Sequence, residues 1–248
     1  MIEREERDGI AYLTLVHGKA NAWDVEFLEA FGAALEASSG ARAVVITARG
    51  KIFCAGVDLP RLLNEGTPYV ERFIPLMDQF CRTLFAYPAP VVTSVNGHAI
   101  AGGGILALAS DYVVMADGEA RIGIPELTVG VPFPTVPLEI VRYAVPSDRV
   151  RSLVSFGRTY KPAEALAAGL VDEVVPAESL AERTHVVAQH LASIPSASFR
   201  MTKLGLRGDA IGRMSSNAEY HRQALAAWTD PATHQHLRDY LARTVGRG

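Results

Sequence analysis

Three consecutive glycines, Gly102-Gly103-Gly104, stand between two patterned runs. Before them is a strand-like run, Pro90-Val91-Val92-Thr93-Ser94-Val95-Asn96; after them is an apolar helical run, Ile105-Leu106-Ala107-Leu108-Ala109. A strand that breaks into glycine and then into a helix leaves unpaired backbone N–H groups at the helix N-terminus. Such groups hold negative charge, whether on a bound anion or on an oxygen that is negative only during a reaction. Downstream, Ile122-Gly123-Ile124-Pro125-Glu126-Leu127 sets one carboxylate among apolar residues. Burying a carboxylate costs free energy. Glu126 is therefore either a loop residue with a basic partner or a general base whose pKa is raised by its apolar setting. A third segment, Phe53-Cys54-Ala55-Gly56-Val57-Asp58, has the small residues that permit a sharp turn with accessible N–H groups, and equally suits an ordinary strand-to-helix turn.

Several other chemistries do not fit these residues. A Walker loop needs Lys-Ser/Thr after its last glycine, where this chain has Ile105-Leu106. The spacing from Gly97 to Gly104 is not that of a dinucleotide fingerprint, and no serine sits between glycines as a nucleophile elbow requires. Cys54 has no histidine or basic residue beside it and reads as a small buried thiol. His98 flanks the glycine turn and reads as structural rather than as a substrate contact. No His/Cys/Asp/Glu spacing suggests a metal site.

The elements that position these groups follow from periodicity. Ile2–Arg7 and Ile10–Val16 alternate as strands around Asp8-Gly9, a hairpin signal. Asn21 or Asp24 can cap a helix from Val25 to about Ala37. Ala43–Thr47 is a buried-strand run, and Pro68–Tyr87 carries apolar residues at helical spacing, with Pro75 expected to kink or break that helix. Tyr112–Ala116 and Ala120–Ile124 read as strands about Asp117-Gly118, and Val131–Pro137 as irregular. Helices are expected over Leu138–Ala144, Ser147–Phe156 and Pro162–Ala168, and a strand over Val171–Val175. From Glu178 onward the pattern is helical, with breaks at Pro195, near Gly208–Gly212 and at Pro231. Strands alternating with helices and then a helical tail predict an α/β parallel-sheet core with a C-terminal helical section.

The 248 residues suit one large domain, or one with a small appendage, and about half are hydrophobic. The formal net charge of −3 implies no basic face, so nucleic acid is not an expected partner. No apolar run approaches the ~20 residues of a membrane helix. Two cysteines give no disulfide framework, and the charged start Met1-Ile2-Glu3-Arg4-Glu5-Glu6 has no signal-peptide core. A cytoplasmic protein is expected.

Taken together, the segments resemble the crotonase superfamily, also called the enoyl-CoA hydratase/isomerase family. The resemblance is carried by Asn21-Ala22, Phe53–Asp58, Asn96-Gly97, Ala101-Gly102-Gly103-Gly104, Asp111-Tyr112, Pro125-Glu126, Gly130 and Ala168-Gly169-Leu170-Val171-Asp172. It spans essentially the whole chain. It implies a spiral of ββα repeats over residues 1–195 and a helical section, 196–248, that builds homotrimers or dimers of trimers. It implies an acyl-CoA thioester substrate, with CoA belonging to the substrate and no separate cofactor. It places an oxyanion hole on the backbone N–H groups of Val57 and Gly103, substrate contacts at Ala55, Val57, Asp58 and Leu59, and a catalytic carboxylate at Glu126. Family hydratases carry a second glutamate where this chain has Leu106, which would face the substrate. The resemblance therefore implies double-bond isomerisation by a single glutamate. The alternatives are an enoyl-CoA hydratase with an atypical second acid, for which Glu139 is a candidate if it is not a surface residue, and a catalytically weak acyl-CoA-binding member whose Glu126 would point away from the pocket.

Overall fold

The computed structural model describes residues 1–245 and opens with the hairpin that Asp8-Gly9 dictates. Strands β1 (Ile2–Arg7) and β2 (Ile10–Leu15) pair antiparallel about these two residues, both at positive φ, as a two-residue hairpin turn requires. Helix α1 (Val25–Glu36) follows, capped by Asp24, whose Oδ1 accepts the Phe27 N–H at 2.7 Å. Its Phe27, Leu28, Phe31 and Leu35 are buried, which is the apolar stripe the sequence shows.

The strand–strand–helix unit then recurs. The second unit is β3 (Ala43–Ala48), β4 (Ile52–Cys54), α2 (Leu59–Glu65) and α3 (Thr67–Phe85). The third is β5 (Val91–Val95), β6 (His98–Ile100) and α4 (Gly102–Leu108). The fourth is β7 (Tyr112–Ala116), β8 (Ile122–Gly123) and α5 (Glu126–Val129). In units two to four the first strand enters a large sheet and the second a small one. Helices α6 (Thr135–Ala144) and α7 (Ser147–Phe156), strand β9 (Thr159–Tyr160), helix α8 (Pro162–Ala167) and strand β10 (Glu173–Val175) complete both sheets. The large sheet runs β1-β2-β3-β5-β7-β10, parallel from β2 onward, and the small sheet runs β4-β6-β8-β9. The main core lies between the large sheet and α1, α3, α4 and α6. A second apolar cluster joins Ile10, Val45, Val92 and Val114 to Leu180, Val187 and Ala188 of α9 (Leu180–Ser193). The chain ends in α10 (Ser196–Ser216), α11 (Ala218–Thr229) and α12 (Pro231–Val245). No helix among the described residues is long and apolar enough to cross a membrane.

The structure departs from the periodicity reading at four places. Helix α3 runs through Pro75 without a break, because Pro75 lies on its exposed face while Phe73, Ile74, Met77, Phe80 and Leu84 are buried. The lost backbone bond costs about 3 kcal/mol, and burying several large side chains at about 1.5–3 kcal/mol each outweighs it. Helix α10 likewise continues through Gly208 and Gly212 and ends only at Asn217. Irregular backbone is confined to residues 131–134, since Pro137 falls in the first turn of α6, where its missing N–H has no partner to lose. The strand expected at Ala120–Ile124 is reduced to β8 and pairs with β6 in the small sheet, not with β7.

One buried ion cluster fastens α10 to the core. Arg207, 3% exposed, donates to the carbonyls of Phe85, Ala109 and Ser110 and to Asp111 Oδ1 at 2.8 Å. Lys203 reaches Asp111 Oδ2 at 2.6 Å and the Ala89 carbonyl at 3.3 Å. This anchoring fixes the helix at the residue before Gly208. Removing one member of such a cluster strands an unpaired buried charge, so Arg207→Ala should lose about 3–5 kcal/mol in urea unfolding. A loss below about 1 kcal/mol would show that the cluster is not buried as described.

Candidate active site

The turn at residues 54–57 and the turn at residues 101–104 meet backbone to backbone. A Cβ on Gly103 would lie 2.2 Å from the Cys54 carbonyl oxygen. A Cβ on Gly56, whose φ is +85°, would lie 2.7 Å from the Ala101 Cβ and 2.9 Å from the Gly102 nitrogen. No residue but glycine fits at either place. Ala101 itself holds φ +53°, a strained conformation for a residue with a Cβ.

The loop before α1 sets the position of the first turn. Asn21, 3% exposed, donates from Nδ2 to the carbonyls of Ile52 and Phe53 at 3.2 and 3.1 Å and accepts the His17 N–H at 2.7 Å. Ala55 N–H donates to Ala20 O, Trp23 N–H to Gly56 O, and Asp58 N–H to Trp23 O. These bonds leave the Val57 N–H without an acceptor among the described residues. Gly103 is the second residue of α4, which has no side-chain cap, so its N–H is also unpaired. Strand β4 ends at Cys54, β6 at Ile100 and β8 at Gly123. Val57, Gly103 and Glu126 therefore each lie three residues beyond the end of neighbouring strands of the small sheet.

A cavity of ≈ 60 Å³ opens beside these turns. Trp23, Ala55, Val57, Leu59, Ala101, Gly102 and Ile105 line one part, and Met77, Val129, Val131, Pro134, Pro137 and Trp228 line the rest. Glu126 is the single titratable side chain on its wall. The residue as a whole is half-buried, but its Oε2 is sealed from solvent and has no hydrogen-bond partner. Desolvation pushes the carboxyl up to about 8, partly opposed by a backbone hydrogen bond from its own N–H. The Trp23 Nε1 is also buried, within reach of the Cys54 thiol. An unpartnered carboxylate oxygen on a cavity wall marks room for a polar ligand group. An apolar cavity with one strong base and two free N–H donors nearby can abstract a proton next to a carbonyl and hold the resulting oxyanion.

The remaining expected residues fall as follows. Ala55, Val57, Leu59 and Glu126 share the cavity. Asp58 does not line it; its Oδ1 caps α2 by accepting the Arg61 N–H at 3.0 Å. Leu106, expected to face the substrate, is buried in the core instead. The helix face toward the cavity is that of Gly102 and Ile105, one residue earlier. Glu139 is not a surface residue: it is 4% exposed and joins Arg142 at 2.6 Å and Arg213 at 2.7 Å, away from the cavity. His98 Nδ1 accepts the Arg121 N–H at 3.2 Å and does not line the cavity. Burial pushes the Cys54 thiol up to about 12, which leaves it unreactive. The periodicity reading placed Met77 on the apolar face of the Pro68–Tyr87 helix without a role at the site, and did not single out Trp23 or Trp228, for which two tryptophans in the whole chain were the only signal.

The sequence profile of the family described as "Enoyl-CoA hydratase/isomerase" matches residues 5–240. A protein of Thermus thermophilus named "Putative enoyl-CoA hydratase" is 42% identical over 173 residues, covering 68% of this chain and 67% of that protein. The rat "Enoyl-CoA delta isomerase 1, mitochondrial" is 29% identical over 212 residues, covering 84% of this chain and 73% of the relative. The crystal structure of the human mitochondrial delta3-delta2-enoyl-CoA isomerase superposes with a TM-score of 0.93 over 99% of this chain and 98% of that one, at 24% identity, a likeness of fold.

The raised Glu126 pKa carries a stability consequence. The folded value, about 8, lies above the ordinary glutamate value of 4.5. Its stabilising contribution is therefore complete below about pH 4.5 and is lost as pH rises through 8. Glu126→Gln, which does not titrate, should melt progressively above wild type as pH is raised from 5 to 9. A melting-temperature difference that stays constant across that range would show an unperturbed carboxyl.

Proposed function

The chain belongs to the enoyl-CoA hydratase/isomerase family, and we propose that it moves the double bond of a 3-enoyl-CoA thioester to the 2-position, with Glu126 as the single proton shuttle. The observation that carries this reading is one unpartnered, desolvated carboxylate on an otherwise apolar wall. Ionised Glu126 takes a proton from C2, next to the thioester carbonyl. The electron pair delocalises through the carbonyl to oxygen, and the dienolate oxygen accepts hydrogen bonds from the Val57 and Gly103 N–H groups. Neutral Glu126 then returns the proton to C4, the carbonyl re-forms, and the double bond lies between C2 and C3. Each oxyanion donor of this kind is worth about 2.7–4 kcal/mol of barrier. The raised pKa makes the carboxylate a stronger base while leaving it ionisable near neutral pH. The CoA portion passes Ala55 and Leu59 on its way out of the cavity.

Addition of water needs a second acid to hold and activate it. The relative named as a putative hydratase keeps that reading in view. Against it stands a cavity wall with no second carboxylate, and Glu139 committed to two arginines. For assembly, we propose a homotrimer, or a pair of them, built through α10, whose Met201, Leu204 and Leu206 are 65%, 44% and 66% exposed.

Purified protein offered 3-enoyl-CoA and 2-enoyl-CoA in parallel should isomerise the first faster than it hydrates the second; the reverse order would sink the isomerase reading. Glu126→Gln should lower kcat by about 10²–10⁴-fold while still binding the CoA thioester in a titration. In wild type, kcat/KM should climb with pH through a limb near pH 8, as the carboxyl ionises. For assembly, Leu206→Glu should shift the light-scattering mass toward a single chain; an unchanged mass would remove α10 from the interface.

A further inference from the structure

Building on the isomerase reading, we propose that this enzyme is selective for short acyl chains, and that the bulk of Trp228 sets the limit. The cavity measures ≈ 60 Å³. An apolar cavity of about 150 Å³ holds one benzene ring, so this one holds roughly two or three carbons. Proton transfer from C2 to C4 requires those carbons to lie beside Glu126. The reacting carbons thus occupy most of the sheltered space, and each further methylene must displace a wall or turn back toward the mouth that the CoA portion uses.

The walls differ in how far they can give. The side toward Val57 and Gly103 is backbone in contact with backbone and cannot retreat. The other lining comes from side chains of α3, of α6 and the segment before it, and of α11: Met77, Pro134, Pro137 and Trp228. Trp228 is 2% exposed, and α11 is tied over the cavity by polar contacts. The Trp228 Nε1 donates to the Pro132 carbonyl at 3.0 Å, and the Tyr220 hydroxyl donates to the Phe133 carbonyl at 2.8 Å. The His221 Nδ1 lies 3.2 Å from Asp78 Oδ2 on α3, and the His234 ring meets the Trp228 carbonyl at 2.9 Å. Trp228 is therefore held as a wall rather than free to swing aside. The C-terminal helices, far in sequence from the catalytic turns, decide how long a chain the site accepts.

The test is a chain-length series of 3-enoyl-CoA thioesters from four to twelve carbons, read as kcat/KM, with the matching 2-enoyl-CoA series followed for hydration. Wild type should fall at least about tenfold between six and ten carbons, as a filled apolar pocket penalises extra methylenes. Trp228→Ala should raise the ten-to-six-carbon ratio by at least about tenfold. Tyr220→Phe removes a tie and leaves the bulk in place, so it should move that ratio little. A flat wild-type profile overturns the proposal, as does a folded Trp228→Ala with an unmoved ratio, or a Tyr220→Phe that shifts it equally. If Trp228→Ala does not fold, Met77→Ala enlarges the same cavity from α3 and must raise the ratio. If the protein hydrates 2-enoyl-CoA instead, the same series read on hydration still measures the limit, so the two readings fail separately.

Discussion

The contact between the turn at residues 54–57 and the turn at residues 101–104 is the constraint on which the rest of the site depends. Two N–H groups must point at one place, and they can do so only if two backbones touch. Gly103 against the Cys54 carbonyl, and Gly56 against Ala101 and Gly102, remove the side chains that would hold them apart. Closeness alone would allow the two turns to slide. Asn21 prevents this by gripping the Ile52 and Phe53 carbonyls, and Trp23 by pairing on both sides of Val57. Ala101 is held at positive φ in the middle of this arrangement. Strain of that kind, about 1–3 kcal/mol, persists only where the surroundings over-determine the backbone.

Around the contact, the fold keeps charge scarce where the chemistry occurs and satisfied where it does not. Asp111, Lys203 and Arg207 are buried and paired, and buried Glu139 is paired with two solvent-exposed arginines, Arg142 and Arg213. Glu126 alone on the cavity wall has a buried oxygen with no partner. The cost of desolvating it appears as a raised pKa, and a raised pKa is what a base acting on a weakly acidic C–H requires. Another carboxyl, Asp78, is pushed up to about 6 by burial, which the nearby His221 opposes. It sits where α3 meets α11 and serves the wall rather than the reaction.

How much of this was legible in the sequence depended on the distance over which each signal acts. The hairpin at Asp8-Gly9, the stripe of α1 and the boundaries of α7 are local, and the structure reproduces them. The breaks expected at Pro75 and at Gly208–Gly212 were local signals overruled by tertiary packing, by the buried face of α3 in one case and the Arg207 anchor in the other. Strands β4, β6 and β8 are two or three residues long, too short for alternation to register, yet they place Val57, Gly103 and Glu126, the groups of the proposed mechanism. Leu106 lies buried beside Ile105, which lines the cavity; in the sequence the phase of this helix could be taken only from the glycines and not from the cavity. Glu139 reads as a surface position in the sequence because Arg213, which pairs with it, lies on another helix. Trp228 had no legible role, since nothing near it in sequence announces the loop it seals.

The positions of Val57, Gly103 and Glu126, each three residues past the end of its strand, also bear on how such a site arises. Strands β4, β6 and β8 are neighbours in one sheet, and neighbouring strands lie about 4.8 Å apart. Groups set just past the ends of adjacent strands are thereby brought side by side before any side chain packs around them. The pitch of an ordinary β-sheet thus supplies the starting spacing of an anion receptor. A fold that repeats one strand–strand–helix unit acquires the receptor from its own periodicity and needs only the removal of side chains at two glycines to open it.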